Sequence, residues 1–121
     1  MKLLIVDDSP LFRDRLAAML SDLPRVQVVG YADDVESARD AVTRFHPDVV
    51  TVDIRLPRGS GIDVLKDIKT RSSGTRVIIL TNYPYPQLKR KCLAEGADEF
   101  LDKSNDIDRL PGILSSLLEN H

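Results

Sequence analysis

The sequence predicts an α/β protein in which five parallel strands alternate with five helices. Short, continuous apolar runs at residues 2–6, 49–52 and 76–81 are typical of strands buried on both faces. Segments with apolar residues at helical spacing separate these runs, and Gly or Pro lies near most of the boundaries. This alternation calls for a sheet covered by helices on both faces. We expect residues 1–121 to form one such domain.

The composition is typical of a soluble domain. Hydrophobic residues make up 42% of the chain and charged residues 30%, and the formal net charge is −2. No basic excess favours nucleic acid, no apolar run is long enough to span a membrane, and no signal peptide opens the chain. The single cysteine, Cys92, excludes a disulfide within one chain and fits a reducing compartment. We therefore expect a cytoplasmic protein with no membrane partner.

The first strand, residues 2–6, ends in two carboxylates, Asp7 and Asp8. Ser9 is the expected N-cap of helix 1, and Pro10 suits its first turn because the missing N–H has no helical partner there. Apolar residues then recur at helical spacing, at Leu11, Phe12, Leu16, Met19, Leu20 and Leu23, until Pro24.

The second strand lies around residues 26–29, and Gly30 is expected to close it. Asp33 or Asp34 is the expected N-cap of helix 2, and Pro47 ends that unit.

The third strand, residues 49–52, ends at Asp53. The next residues predict a turn, because they include Pro57, Gly59 and Gly61. Helix 3 is expected at residues 61–71.

Two further strands end in polar side chains. Strand 4, residues 76–81, ends at Thr81, and strand 5, residues 99–103, ends at Lys103. Helix 4 lies between them with Gly96 as its C′ residue, and Pro111 must lie in the first turn of helix 5.

Right-handed crossovers leave few topologies for five such units. The expected one is a flavodoxin-like, doubly wound sheet with strand order 2-1-3-4-5. In that order the C-terminal ends of strands 1, 3, 4 and 5 lie side by side at the edge where such sheets bind ligands. The sequence therefore predicts one site that contains Asp7, Asp8, Asp53, Thr81 and Lys103.

Three carboxylates at one edge repel each other unless a cation joins them. Oxygen ligands with room for water suit Mg²⁺. We expect Asp8 and Asp53 as direct ligands, the backbone carbonyl of Arg55 as a further oxygen, and Asp7 acting through water. The expected cofactor is therefore Mg²⁺.

A carboxylate between a metal ion and an ammonium is suited to phosphoryl transfer, which depends on positioning and charge neutralisation. Asp53 is the candidate nucleophile and would form an acyl phosphate. Thr81 can donate a hydrogen bond to one phosphoryl oxygen, and Lys103 can pair with another.

These motifs resemble the receiver domain of two-component response regulators over nearly the whole chain. The matching pieces are residues 4–8, residues 53–57 with Gly61, Thr81, and residues 100–103. The opening residues 7–13 are also similar to receivers attached to helix-turn-helix output domains.

The resemblance implies that a sensor histidine kinase or a phosphotransfer protein phosphorylates Asp53 with Mg²⁺ bound. It implies that Thr81 and Phe100 move together and change the surface of helix 4, strand 5 and helix 5. That surface would bind a downstream protein or a fused output domain, or form a phosphorylation-dependent homodimer. Such a protein is not an enzyme towards other substrates, although it catalyses its own phosphorylation and dephosphorylation.

The chain departs from the usual receiver pattern beside the site. Arg55 and Tyr83 lie where family members tune dephosphorylation, and both are large enough to shield an acyl phosphate from water. Asn82 replaces a very small residue. Fixed φ angles are expected to limit movement of the next loop at Pro84 and Pro86. Ser104 stands where many relatives carry a cis proline.

Other interpretations remain open at this stage. Considered alone, each site residue also has a structural interpretation. Asp7 or Asp8 would then be a helix cap, Lys103 a solvated surface charge and Phe100 a core residue. The chain is either a stand-alone receiver or the isolated receiver of a longer DNA-binding regulator, and nothing after helix 5 favours DNA binding by this chain. An Asp-dependent phosphatase would want a carboxylate at position 55, and a flavin carrier would want a phosphate-binding loop after strand 1.

Overall fold

The structure is a five-stranded parallel sheet with helices on both faces. The computed structural model describes residues 1–119, so Asn120 and His121 of the predicted domain lie outside the described residues. A 3₁₀ turn (Ile107–Arg109) precedes the last helix. The strands and α-helices are β1 (Lys2–Val6), α1 (Pro10–Leu20), β2 (Gln27–Ala32), α2 (Val35–Phe45), β3 (Val49–Val52), β4 (Arg55–Leu56), β5 (Gly59–Ser60), α3 (Gly61–Arg71), β6 (Arg76–Thr81), α4 (Pro86–Ala94), β7 (Glu99–Asp102) and α5 (Leu110–Glu119).

The order of the main sheet is β2-β1-β3-β6-β7, and every neighbouring pair is parallel. This confirms the predicted order 2-1-3-4-5, in which predicted strands 4 and 5 correspond to β6 and β7. The two-residue strands β4 and β5 pair with each other as a separate antiparallel hairpin directly after Asp53. The residue pattern, with Pro57, Gly59 and Gly61, predicted only a turn in that segment.

Two apolar clusters hold the layers together, one on each face of the sheet. Alternate strand residues point to opposite faces, so Val50 and Val52 pack under α2 and α3 while Val49 packs under α1 and α5. Leu65 and Leu110 are fully buried representatives of the two helical layers. Burial on both faces explains why the strands have continuous apolar runs rather than alternating ones.

The predicted helix starts hold for the first two helices. Ser9 caps α1, where its side chain accepts a hydrogen bond from the Phe12 N–H, and Pro10 is the first helical residue. Of the two candidates for α2, Asp34 is the N-cap, and its side chain accepts from the Ser37 N–H at 2.8 Å.

Two of the other predicted helix boundaries hold, and the predicted end of α1 does not. Pro111 lies in the first turn of α5, as predicted, and Gly96 follows the end of α4 with φ +103°. Helix α1 ends at Leu20, so Leu23 lies beyond it despite its helical spacing.

The prediction that Gly30 closes the second strand was wrong. Strand β2 continues to Ala32, and Gly30 pairs with Leu4 just after a register shift in the ladder. A Cβ on Gly30 would lie 2.8 Å from the ring of Phe45. The glycine therefore allows the end of α2 to pack closely on the strand, rather than forming a turn.

Candidate functional site

Three carboxylates meet at the C-terminal edge of the sheet. Strands β1 and β3 are hydrogen-bonded neighbours, and the Asp53 N–H donates to the Val6 carbonyl at 3.0 Å. Asp7 and Asp53 therefore follow adjacent strand ends. One oxygen from each of Asp7, Asp8 and Asp53 lies within 4.8 Å of the other two. Asp7 and Asp53 are buried, whereas Asp8 is exposed, so the cluster opens to solvent on one side.

An ammonium group from the far side of the sheet reaches this cluster. Lys103 follows β7, and its N–H donates to the Thr81 carbonyl at 2.9 Å, which fixes its backbone beside the end of β6. Its side chain crosses to β1 and β3, where Nζ lies 2.6 Å from Asp7 Oδ2 and 3.2 Å from Asp53 Oδ2. The Lys103 side chain is only 7% exposed. The ammonium thus bridges two buried carboxylates.

The two carboxylates that Lys103 bridges differ in their remaining partners. The other oxygen of Asp7, Oδ1, accepts a hydrogen bond from the Ser9 N–H at 2.9 Å, so both Asp7 oxygens are engaged. Asp53 is bound less closely by the ammonium. Its burial raises the pKa of the carboxyl, nearby Asp7 adds to that increase, and Lys103 opposes it without cancelling it.

The backbone after Asp53 is held in place from two sides. Gly61 N–H donates to the Ile54 carbonyl at 2.7 Å, and a Cβ on Gly61 would lie 2.1 Å from the Asp53 carbonyl oxygen. Only a glycine permits this approach. On the outer side, Arg58 forms an ion pair with Asp34, the N-cap of α2. That pair links the β4–β5 hairpin to the start of a neighbouring helix.

Thr81 and Phe100 lie on the same face of the sheet, towards α4. Strand pairing sets Thr81 opposite Asp102, two residues beyond Phe100. Thr81 is fully buried, and its Oγ1 accepts a hydrogen bond from the Tyr83 N–H at 3.0 Å, which leaves the hydroxyl proton to be donated elsewhere. Phe100 is also buried and belongs to the same apolar cluster as Cys92 of α4.

The two large residues predicted to flank the site contact each other. The Arg55 guanidinium lies over the Tyr83 ring, 4.0 Å from its centroid, and Tyr83 is also a tilted neighbour of Tyr85 at 6.3 Å. Arg55 is exposed and Tyr83 half-buried, so the pair lies at the rim of the site. Asn82 is exposed beside them. The spacing in the sequence predicted two separate shields but did not reveal this stacked contact.

Sequence reasoning missed two residues of α1 that contact the site. Phe12 was assigned to the core by helical spacing, yet its ring centroid lies 4.1 Å from the Lys103 ammonium. Arg13 donates to the backbone carbonyl of Asp7 at 3.3 Å and lies over the Tyr31 ring at 5.6 Å. A usable signal was that the first turn of α1 begins at the same sheet edge as the carboxylates.

The donor set fits a hard divalent cation. Three carboxylates and one ammonium leave the cluster with negative charge in excess, and the pKa of Asp53 is raised by burial, so added positive charge would stabilise its ionised form. The exposed side of Asp8 leaves room for a hydrated ion such as Mg²⁺, which keeps several waters in protein sites.

The chain matches a known protein family over most of its length. The profile of the response regulator receiver domain matches residues 3–115. The chain belongs to this family. This receiver domain is therefore a domain of two-component response regulators, a class that generally binds Mg²⁺ and interacts with histidine kinases and output domains.

Several relatives carry a similar domain within a longer protein. The receiver is 33% identical to the two-component response regulator PhoP of Pseudomonas aeruginosa over 118 residues, which cover 98% of this chain and 52% of that protein. It is 48% identical to a protein-glutamate methylesterase/protein-glutamine glutaminase of Rhizobium etli over 69 residues, 57% of this chain and 20% of that protein. The chain thus spans about half or less of these curated relatives.

A solved receiver supports the same fold. The response regulator domain of Thermotoga maritima CheB superimposes with a TM-score of 0.86 at 29% identity, covering 98% of this chain and 94% of that one. Within residues 1–119, no helix has the length and apolar character that a membrane crossing requires.

Proposed function

We propose that this receiver is a phosphorylation-controlled switch in which Asp53 accepts a phosphoryl group from a sensor histidine kinase or a phosphotransfer protein. The observation that carries the proposal is the position of Asp53, a buried carboxylate 3.2 Å from the Lys103 ammonium and adjacent to Asp7 and Asp8. A carboxylate nucleophile needs positive charge around the phosphoryl oxygens, and this cluster supplies one fixed cation and ligands for another.

In the transfer step, an Asp53 carboxylate oxygen attacks phosphorus. The new O–P bond forms as the P–N bond of the phosphohistidine breaks, and the electron pair leaves with the imidazole, which then takes a proton. Hydrolysis later breaks the O–P bond, as water supplies the oxygen of inorganic phosphate and the carboxylate is regenerated. In this sense the receiver promotes its own phosphorylation and dephosphorylation but is not an enzyme towards other substrates.

The neighbouring side chains have distinct roles in this proposal. Lys103 pairs with one phosphoryl oxygen, and the Thr81 hydroxyl donates to another. Thr81 Oγ1 accepts a hydrogen bond from the Tyr83 N–H, so its own proton is available to donate. Asp8, Asp53 and the backbone carbonyl of Arg55 would hold Mg²⁺. Asp7 would act through water, since both its oxygens already accept hydrogen bonds. When bound, Mg²⁺ would neutralise charge on the phosphoryl oxygens.

The output would be read on the surface of α4, β7 and α5. Movement of Thr81 towards a phosphoryl oxygen would leave space on its face of the sheet, and Phe100 lies on that same face. We propose that these two residues form the switch, and that the altered surface binds a downstream protein, a fused output domain or a second phosphorylated copy. The chain itself would not contact nucleic acid, and it would act in the cytoplasm.

A second candidate is that residues 1–121 are the isolated receiver of a longer DNA-binding regulator rather than a stand-alone protein. This candidate is supported by coverage, because the chain spans 52% of PhoP and 46% of DegU from Brevibacillus brevis. The length of the native open reading frame separates these two candidates.

Intact-mass spectrometry after incubation with acetyl phosphate tests the proposed function. We expect one phosphoryl adduct on the native chain, formed only when Mg²⁺ is present. Asp53→Asn should carry none, and Asp48→Asn is a matched control because Asp48 lies at the opposite end of β3. An adduct of equal yield on Asp53→Asn would refute the assignment of the phosphoacceptor.

A further inference from the structure

The Lys103 ammonium has a third neighbour besides its two carboxylates. The ring of Phe12, in the first turn of α1, lies with its centroid 4.1 Å from Nζ. An ammonium at this distance is attracted to the electron-rich face of an aromatic ring, and the attraction is larger when the cation is desolvated. Lys103 meets that condition because its side chain is only 7% exposed.

The ring differs from the carboxylates in one chemically important way. If the proposed function is correct, Asp53 becomes an acyl phosphate, and Asp7 belongs to the acidic set that would face a metal ion. The charge around both partners of Lys103 therefore changes during the reaction. The ring of Phe12 is neutral, and its attraction for the ammonium stays the same throughout.

Phe12 is connected to Asp7 in two ways, through the backbone at the N-cap of α1 and through Lys103. Asp7 Oδ1 accepts from the Ser9 N–H at 2.9 Å, and Ser9 Oγ accepts from the Phe12 N–H at 3.2 Å. The Phe12 ring contacts the Lys103 ammonium, and that ammonium forms an ion pair with Asp7 Oδ2 at 2.6 Å. The N-cap of α1 thus ties the Phe12 backbone to Asp7 of the acidic cluster.

We propose that Phe12 is a positioning residue for phosphoryl transfer, whose ring holds the Lys103 ammonium within reach of the phosphoryl group on Asp53. A lysine side chain has a flexible four-carbon stem, so its ammonium needs such a constraint to stay in one place. In the structure Nζ lies closer to Asp7 than to Asp53. The ring keeps the ammonium between the two instead of leaving it to follow Asp7 alone. This role rests on the proposed function.

Phe12→Leu and Phe12→Tyr test the role with two readouts. The first is the proton shift of the Lys103 Cε methylene, assigned by its loss in Lys103→Arg, which an aromatic face moves upfield. The second is the initial rate of phosphorylation by acetyl phosphate with Mg²⁺. We expect Phe12→Leu to abolish the upfield shift and slow the rate roughly tenfold, which corresponds to about 1.4 kcal/mol. Phe12→Tyr keeps an aromatic ring at this position and should leave both the upfield shift and the rate as in the native chain.

Ile113→Ala is the matched control, because Ile113 of α5 is a partly buried member of the same apolar cluster as Phe12. It should lower the melting temperature without changing the shift or the rate. An unchanged rate in Phe12→Leu, an equal loss in Phe12→Tyr, or no upfield shift in the native chain would overturn the role. If the native chain shows the shift but never forms an adduct, the proposed function fails, and the positioning role fails with it.

Discussion

Removing the Lys103 ammonium is expected to destabilise the fold as well as block phosphorylation. Lys103→Met keeps most of the aliphatic stem but leaves Asp7 and Asp53 without their shared cation. Both carboxylates are buried, and Asp8 lies beside them, so three negative charges would stand together with no ammonium between them. The native fold should therefore lose stability at neutral pH.

The size of the loss follows from the burial of the pair. Removing one partner of a buried ion pair costs roughly 3–5 kcal/mol. Because Asp8 is exposed and solvent reaches one side of the cluster, we take the lower end, about 3 kcal/mol. For a domain of this size each kcal/mol lowers the melting temperature by roughly 3–5 °C, so we expect a decrease of about 10–15 °C.

Urea and thermal denaturation measured by circular dichroism are suitable assays. Lys91→Met is the matched control, because Lys91 is exposed on α4 and should change stability by less than about 0.5 kcal/mol. Adding Asp7→Asn to Lys103→Met should recover part of the loss, and so should Mg²⁺. If Lys103→Met and Lys91→Met are equally stable, the argument that Lys103 offsets charge repulsion in the acidic cluster is refuted.

Three further predictions concern the rim of the site, the N-cap of α2 and the core. Arg55→Ala and Tyr83→Ala should each shorten the lifetime of the phosphoryl adduct several-fold, since the stacked pair at the rim limits access of water; unchanged decay by intact mass would contradict this. The Ser37 N–H and Arg58 hold the pKa of Asp34 at about 2, below its ordinary 3.8. The ionised Asp34 therefore stabilises the fold fully above pH 4, and this contribution is lost as pH falls towards 2. In Asp34→Ala the melting temperature should depend less on pH between 4 and 2 than in the native chain. Thr51→Val should raise the unfolding free energy by about 1 kcal/mol, because the buried Thr51 hydroxyl has no hydrogen-bond partner among the described residues; a lower melting temperature would contradict this.

The sequence predicted the strand ends well because their chemistry changes abruptly. Asp53 and Lys103 are 50 residues apart, yet each directly follows a strand of the parallel sheet. Parallel order then places both strand ends at one edge, whatever the details of packing. Their roles in phosphoryl transfer stay predictions, but their proximity follows from topology alone.

Contacts that depend on tertiary packing were not predictable in the same way. Phe12 has the spacing of a core residue, and only the position of α1 over the sheet brings its ring to Lys103. The stacking of Arg55 on Tyr83 joins the β4–β5 hairpin to the loop that follows β6. Gly30 looked like a strand terminator because local sequence cannot show that the Phe45 ring needs the space of its missing side chain.

The most direct test of the central proposal is to locate the phosphoryl group on the chain. After incubation with acetyl phosphate and Mg²⁺, borohydride reduces an aspartyl phosphate to homoserine, and peptide sequencing by mass spectrometry identifies the modified residue. We expect homoserine at position 53, none at Asp7 or Asp8, and a sharply reduced yield in Lys103→Met. Homoserine at another aspartate, or equal yield without Lys103, would contradict the assignment of Asp53 and its ammonium partner as the phosphorylation site.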